Sequence, residues 1–159
     1  MNELEFSLGA AIGAGLVATL AMTAVMYMGR AMLPAQMPMN ILYMFGSMMT
    51  KSTGSAYLIG IMIHAVNGVI FAIIPHGVVQ RLRVTGRPGW LGHRFRLRSL
   101  GNRWHGVGMV GSMHPGIKAG EQTDLGLFAK NLPTMNMMGF LMVHILYGVV
   151  VGGLYEAWA

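Results

Sequence analysis

The chain has 159 residues, of which 54% are hydrophobic and only 10% are charged, and its mean hydropathy is +0.55. Ordinary soluble domains carry roughly 25% charged residues, so this composition argues against a water-soluble core and favours a membrane protein. The absence of cysteine removes disulfides, thiolate metal sites and thiol nucleophiles. The net charge of +6 comes mainly from one segment, because seven of the eleven Lys and Arg residues lie between positions 81 and 103.

The first predicted element is a transmembrane helix over residues 8–28, an uncharged apolar stretch. Its length matches the roughly 20 residues that cross a bilayer. A signal peptide would start with basic residues and have a shorter apolar region, whereas this chain starts with M-N-E-L-E. Small residues recur every four positions, and we therefore predict that Ala14 and Ala18 lie on a helix-packing face.

A short interfacial helix and a second span follow. Two prolines precede Asn40, which we predict to cap a helix over residues 41–49 that is too short to cross the membrane. The second span covers residues 56–75, and we expect it to end at His76 and Gly77. Gly60 and Gly68 lie four residues on either side of His64, so these two glycines are predicted to form a packing stripe with the histidine between them.

Residues 80–104 are rich in Arg and Gly, and as written they are typical of a cytoplasmic loop that obeys the positive-inside rule. If each codon is read one nucleotide later, the Arg codons CGN become GNN, and the segment then yields an apolar helix. We therefore infer that residues 80–105 come from a locally shifted reading frame. The third span is placed at residues 89–113.

The last span covers residues 137–155 and ends in the aromatic anchor Y-E-A-W. It repeats the pattern of the second span, because His144 is followed at spacing four by Gly148 and Gly152, which we predict to pack against another helix. Each half of the chain thus consists of a helix, a polar or interfacial connection and a helix with H-x-x-x-G. The predicted fold is an all-α membrane protein, a four-helix transmembrane bundle made of two parallel αα-hairpin repeats.

Four features resemble one bacterial family: G-L-V-A-T-L-A-M-T-A-V-M near the N-terminus, the proline-containing stretch before the interfacial helix, H-P-G-I-K-A-G-E in the last connection, and the closing G-F-L-M-V-H-I-L-Y-G-V-V-V-G-G-L-Y. The family consists of small four-helix inner-membrane proteins known only as a domain of unknown function. The resemblance covers most of the chain except residues 80–105. It implies a fold and a multi-pass location in the cell inner membrane, but no activity, substrate or cofactor.

His64 and His144 are the candidate cofactor-binding residues, because an ionisable group at membrane depth is costly unless it faces protein or water. Either histidine could form one buried hydrogen bond, for which Asn67 and Tyr147 are the nearest partners in sequence. The alternative is axial ligation of haem b by the two imidazoles. If the two helices run in the same direction, the two rings lie at similar depth and face each other.

Copper is a further alternative, since thioethers are soft ligands for Cu(I) and Met109, Met113 and His114 lie close in sequence. Methionine is also an adaptable apolar filler, and the methionine pairs are scattered over every helix. The apolar spans contain no carboxylate pair, no serine beside a base and no phosphate loop, so an enzyme is not favoured. We expect a structural or accessory membrane component whose partner is the lipid bilayer, with homo-oligomers or a larger complex as alternatives and no nucleic acid.

Overall fold

The structure is a computed structural model that describes residues 6–84, 113–126 and 130–159, and for residues 75–84 it describes the helical backbone without the side chains. All regular elements in these ranges are helices. They are α1 (Leu8–Met32), α2 (Ile41–Ser47), α3 (Thr53–Val84), α4 (Pro115–Lys118) and α5 (Thr134–Trp158).

Among the described residues, three helices are long and apolar enough to cross a membrane: α1, the Thr53–Ile74 part of α3, and α5. At ~1.5 Å per residue, a helix of 25 residues is ~37 Å long and exceeds the ~30 Å hydrocarbon layer. These helices occur where the first, second and fourth spans are predicted, and the all-helical class is confirmed for the described ranges. The third span at 89–113 lies outside those ranges except for Met113, so the four-helix bundle stays a prediction.

The predicted end of the second helix at His76 and Gly77 is wrong, because α3 continues to Val84. A glycine inside a helix costs only about 1 kcal/mol relative to alanine, and the residues that follow it, V-V-Q-R-L-R-V, are compatible with a helix. The first five residues of the segment assigned to a shifted frame are therefore helical as written. The rest of that segment lies outside the described ranges, and the frame shift stays a prediction.

Asn40 caps α2 as predicted and also joins three elements. Its Oδ1 accepts hydrogen bonds from the backbone N–H of Tyr43, at 3.2 Å, and from the hydroxyl of Tyr27 on α1, at 2.5 Å. Its Nδ2 donates to the hydroxyl of Tyr57 on α3 at 2.6 Å. One half-buried amide thus fixes α2 against the membrane-spanning helices.

Glycines allow α1 and α2 to approach α3 closely. A Cβ added at Gly68 would lie 1.8 Å from Oγ1 of Thr19 on α1, and a Cβ added at Gly60 would lie 1.8 Å from the carbonyl oxygen of Leu42 on α2. Gly15 of α1 contacts Ala72 of α3, whereas Thr19, which comes later in α1, contacts Gly68, which comes earlier in α3. The two helices are antiparallel.

Helix α5 packs on another side of α1, also antiparallel. At one end the backbone N–H of Ser7 donates to the hydroxyl of Tyr155, at 3.2 Å. Near the other end the backbone N–H of Met39, beyond α1, donates to Oδ1 of Asn136 at 3.1 Å. Since α3 and α5 both run opposite to α1, they are parallel to each other.

Candidate functional site

A cavity of about 220 Å³ lies among α1, the segment 39–45, α3 and α5. Its walls are largely apolar, with four methionines and three phenylalanines: Met22, Met26, Met39, Met44, Phe45, Phe71 and Phe140. Because α1 packs on both α3 and α5, whereas α3 and α5 form no comparable interface in the described ranges, the cavity fills the space between the two parallel helices.

His64 and His144 both line this cavity, one from α3 and one from α5. His64 is the twelfth residue of α3 and His144 is the eleventh residue of α5. At ~1.5 Å per residue, each histidine lies ~15–17 Å from the N-terminal end of its helix, and the two helices are parallel. The structure therefore brings together the two histidines that the sequence singled out, at the similar depth expected for parallel helices.

The Nε2 atom of His64 is buried and has no hydrogen-bond partner among the described residues. The ring of Phe45 lies beside it, with 6.2 Å between the ring centroids. The expectation that Asn67 would provide the hydrogen bond is wrong for this nitrogen, although Asn67 also lines the cavity. A buried polar atom without a partner is costly, so it calls for an explanation.

His144 is oriented by its own helix. Its Nδ1 lies 2.7 Å from the carbonyl oxygen of Phe140, and since a carbonyl only accepts, Nδ1 carries the hydrogen and donates. The neutral ring therefore has its lone pair on Nε2. The hydroxyl of Tyr147, the residue expected to pair with His144, donates instead to the carbonyl oxygen of Gly68 across the gap between the helices.

The predicted small-residue faces have different surroundings. Ala14 and Ala18 are fully buried, and Gly60 and Gly68 are in close contact with α2 and α1. A Cβ added at Gly148 or at Gly152 would meet nothing within 4 Å in the described part of the chain. Helix packing at those two glycines therefore stays a prediction.

His114, predicted as a metal ligand, is fully buried and holds the last connection against α2. Its Nδ1 accepts from the backbone N–H of Gly116 at 3.1 Å, and its Nε2 donates to the carbonyl oxygen of Met44 at 3.0 Å. Met113 is 62% exposed, and Met109 lies outside the described ranges. This geometry favours a structural role for His114, and a Cu(I) site at these three residues stays a prediction.

Sequence reasoning missed the convergence of four methionines on one cavity and the burial of Asn136. The methionines come from α1, from the linker before α2 and from α2 itself, so only the tertiary packing brings them together. No group of three His, Asp or Glu side chains that could hold a metal ion occurs in residues 6–84, 113–126 and 130–159.

The fold and the cavity together define a class: in the part of the chain that the structure describes, this is a helical protein with three helices fit to cross a membrane around a shared apolar core. No protein-family model, curated protein or solved structure matches the chain. The resemblance to a bacterial family of inner-membrane proteins therefore rests on the four sequence features alone, and membership stays a prediction.

Proposed function

We propose that this chain is a small multi-pass integral membrane protein that acts as a structural or accessory component. The observation that carries the proposal is that each long helix presents large apolar side chains that no described residue covers. Leu20 on α1 is 70% exposed, and Leu58 on α3 and Val149 on α5 are each 68% exposed. Exposed apolar surface of this extent indicates a membrane or protein interaction site, and in a bilayer lipid or another helix covers it.

The finer parts of the proposal have separate support. The bacterial inner membrane as location follows from the sequence resemblance alone. The bilayer is the proposed partner for the exposed faces, and a second copy or a larger membrane complex is the proposed partner of the chain as an accessory component. No catalytic activity of its own is part of the proposal.

Membrane insertion is testable by cysteine labelling, since the chain has no cysteine of its own. Leu20→Cys, Leu58→Cys and Val149→Cys, each made singly, should resist a water-soluble maleimide in membranes and react after denaturation in detergent. Lys118→Cys, on the exposed end of α4, is the matched control and should react in membranes once the correct side is accessible. Labelling of all three apolar positions in intact membranes would contradict the proposal.

The accessory role is testable by photo-crosslinking in native membranes. A benzophenone amino acid placed at Leu20, Leu58 or Val149 in turn should form a discrete protein adduct from one helix face and lipid adducts from the others. Mass spectrometry distinguishes a second copy of this chain from another membrane protein. Lipid adducts alone at all three positions would contradict an accessory role and leave a protein that lies alone in the bilayer.

Haem b binding through His64 and His144 is the second candidate, favoured by their position at similar depth on parallel helices. The Nδ1–H of His144 donates to a backbone carbonyl, which is the usual orientation of a metal-bound imidazole. The cavity of about 220 Å³ is below the roughly 300–1,000 Å³ of sites for drug-sized ligands, so a macrocycle requires α3 and α5 to separate. The absence of a Soret band after expression with added haem would exclude this candidate.

A further inference from the structure

We propose that the cavity between α3 and α5 is a binding site for one hydroxylated aromatic ring of the lipid-soluble phenol or quinol class, anchored by a hydrogen bond to Nε2 of His64. This inference goes beyond an accessory role and does not depend on haem. It rests on three properties of the cavity: its volume, the character of its walls and the unpartnered nitrogen in its lining.

The volume of the cavity limits the size of the ligand. An apolar cavity of about 150 Å³ in a protein core is enough to bind benzene, and sites for drug-sized ligands start at about 300 Å³. The 220 Å³ between α3 and α5 lies between these values. A single substituted ring fits this range, whereas a porphyrin does not fit without a movement of the helices.

The walls select an aromatic, uncharged ligand. Four methionines and three phenylalanines make up half of the lining residues, and thioether sulfurs contact aromatic rings favourably. Offset and edge-to-face contacts with phenylalanine add about 0.5–1.5 kcal/mol beyond area burial. Among the described residues the lining contains no carboxylate, lysine or arginine, so a charged ligand would have no permanently charged partner there.

The unpartnered Nε2 of His64 favours a ligand with a hydroxyl group. This nitrogen is either a donor or an acceptor, depending on the tautomer of the ring. A hydroxyl serves as donor and as acceptor, so a phenolic O–H satisfies Nε2 in either case, which a hydrocarbon ring cannot do. The Phe45 ring next to His64 provides an aromatic contact for a ring bound at this point.

The ligand would reach the cavity through the bilayer. A lipid-soluble phenol partitions into the hydrocarbon layer, and His64 lies near the middle of α3 in its membrane-spanning part. The hydrogen bond is worth more to such a ligand inside the protein than in lipid, because the hydrocarbon offers it no partner. The hydroxyl therefore provides selectivity over hydrocarbons that partition equally well.

The test compares p-cresol with p-xylene, which have nearly the same shape and differ in a hydroxyl and a methyl group. The full chain is reconstituted in lipid nanodiscs with ¹³C-labelled methionine methyl groups, and both compounds are titrated by NMR. We expect p-cresol to shift the methyl signals of Met22, Met26, Met39 and Met44, and not those of the exposed Met138 and Met142. The preference for p-cresol over p-xylene should fall roughly 3- to 10-fold in His64→Leu.

Comparing wild type with the variant in the same lipid removes the effect of unequal partitioning of the two compounds. His64→Gln, which keeps a side-chain amide near the position of the imidazole, should restore part of the preference. Met142→Leu, on the exposed side of α5, is the matched control and should leave it unchanged. An unchanged preference in a folded His64→Leu protein, or shifts confined to Met138 and Met142, would overturn the proposal. If His64→Leu does not fold, the absence of cavity methionine shifts in the wild type decides against it.

Discussion

The hydroxyl of Tyr147 on α5 donates a hydrogen bond to the backbone carbonyl oxygen of Gly68 on α3. Each residue lies about one turn beyond the histidine of its helix, so the bond joins the two parallel helices one turn from the cavity histidines. In the described ranges α3 and α5 do not pack against each other as each packs against α1. This hydrogen bond therefore links α3 directly to α5 and holds the two helices at a fixed distance on either side of the cavity.

Tyr147→Phe removes this tie while keeping the ring. We expect the free energy of unfolding in detergent or lipid to fall by about 0.5–1.5 kcal/mol, the size of a hydrogen bond between membrane helices. The measurement is reversible unfolding in mixed micelles. Tyr43→Phe, on α2, is the control and should have a smaller effect. An equal decrease in the free energy of unfolding in both variants would show that the hydrogen bond between α3 and α5 contributes no stability of its own.

Gly68→Ala and Gly60→Ala should destabilise the protein, by about 1–3 kcal/mol each, because the added methyl groups overlap Thr19 and the backbone of Leu42. Gly148→Ala, on α5, is the matched control. It should be neutral or stabilising by up to about 1 kcal/mol, because a Cβ there meets nothing within 4 Å in the described part of the chain and alanine is the better helix former.

The same unfolding measurement applies to all three glycine variants. A loss at Gly148 equal to that at Gly68 would mean that the face of α5 at Gly148 is covered, as the sequence pattern predicted. A neutral effect at Gly60 would contradict the close contact of α2 with α3.

Asn136→Ala should loosen the linker between α1 and α2. Asn136 is 3% exposed and accepts the backbone N–H of Met39, so its removal leaves a buried donor without a partner, at a cost of about 1–3 kcal/mol. Hydrogen exchange should show faster exchange at the Met39 amide. Asn131→Ala, at an exposed position near the start of α5, is the control and should leave that amide protected. Unchanged protection in Asn136→Ala would contradict the contact.

His114→Ala separates a structural role from a metal-binding role. The substitution leaves the buried backbone N–H of Gly116 without its acceptor, at a cost of about 1–3 kcal/mol, and removes one of the two side-chain donors to the carbonyl oxygen of Met44. We expect the connection around α4 to become sensitive to protease without added metal, and Lys118→Ala to remain resistant. Protease resistance that depends on added Cu(I) in the wild type, and is lost in His114→Ala, would favour the metal site instead.

The sequence predicted the helix cap at Asn40 and the three apolar spans, because interactions between residues close in sequence define these elements. Asn40 was identifiable as a helix cap because its acceptor bonds an amide only three residues away. The three apolar stretches were identifiable by length, since a bilayer requires about 20 residues. The end of α3 was predicted wrongly, because His76 and Gly77 are weak stop signals within a long helix.

The cavity depends on packing that no local pattern contains. Gly60 and Gly68 on α3 have the same spacing as Gly148 and Gly152 on α5, yet only the first pair contacts neighbours in the described ranges. A stripe of small residues shows that close approach is possible, not which face is covered. The pairing of Met39 with Asn136 spans 97 residues, and it exists only because α5 runs antiparallel to α1.

The central claim is that His64 and His144 face each other at similar depth across one cavity between parallel helices. The most direct measurement is crosslinking of the double variant His64→Cys with His144→Cys by a short rigid bismaleimide in membranes, in a chain with no other cysteine. We expect efficient intramolecular crosslinking, and little in the control pair His64→Cys with Val149→Cys, because Val149 is exposed on α5. No crosslink between positions 64 and 144, or equal crosslinking in both pairs, would contradict the account.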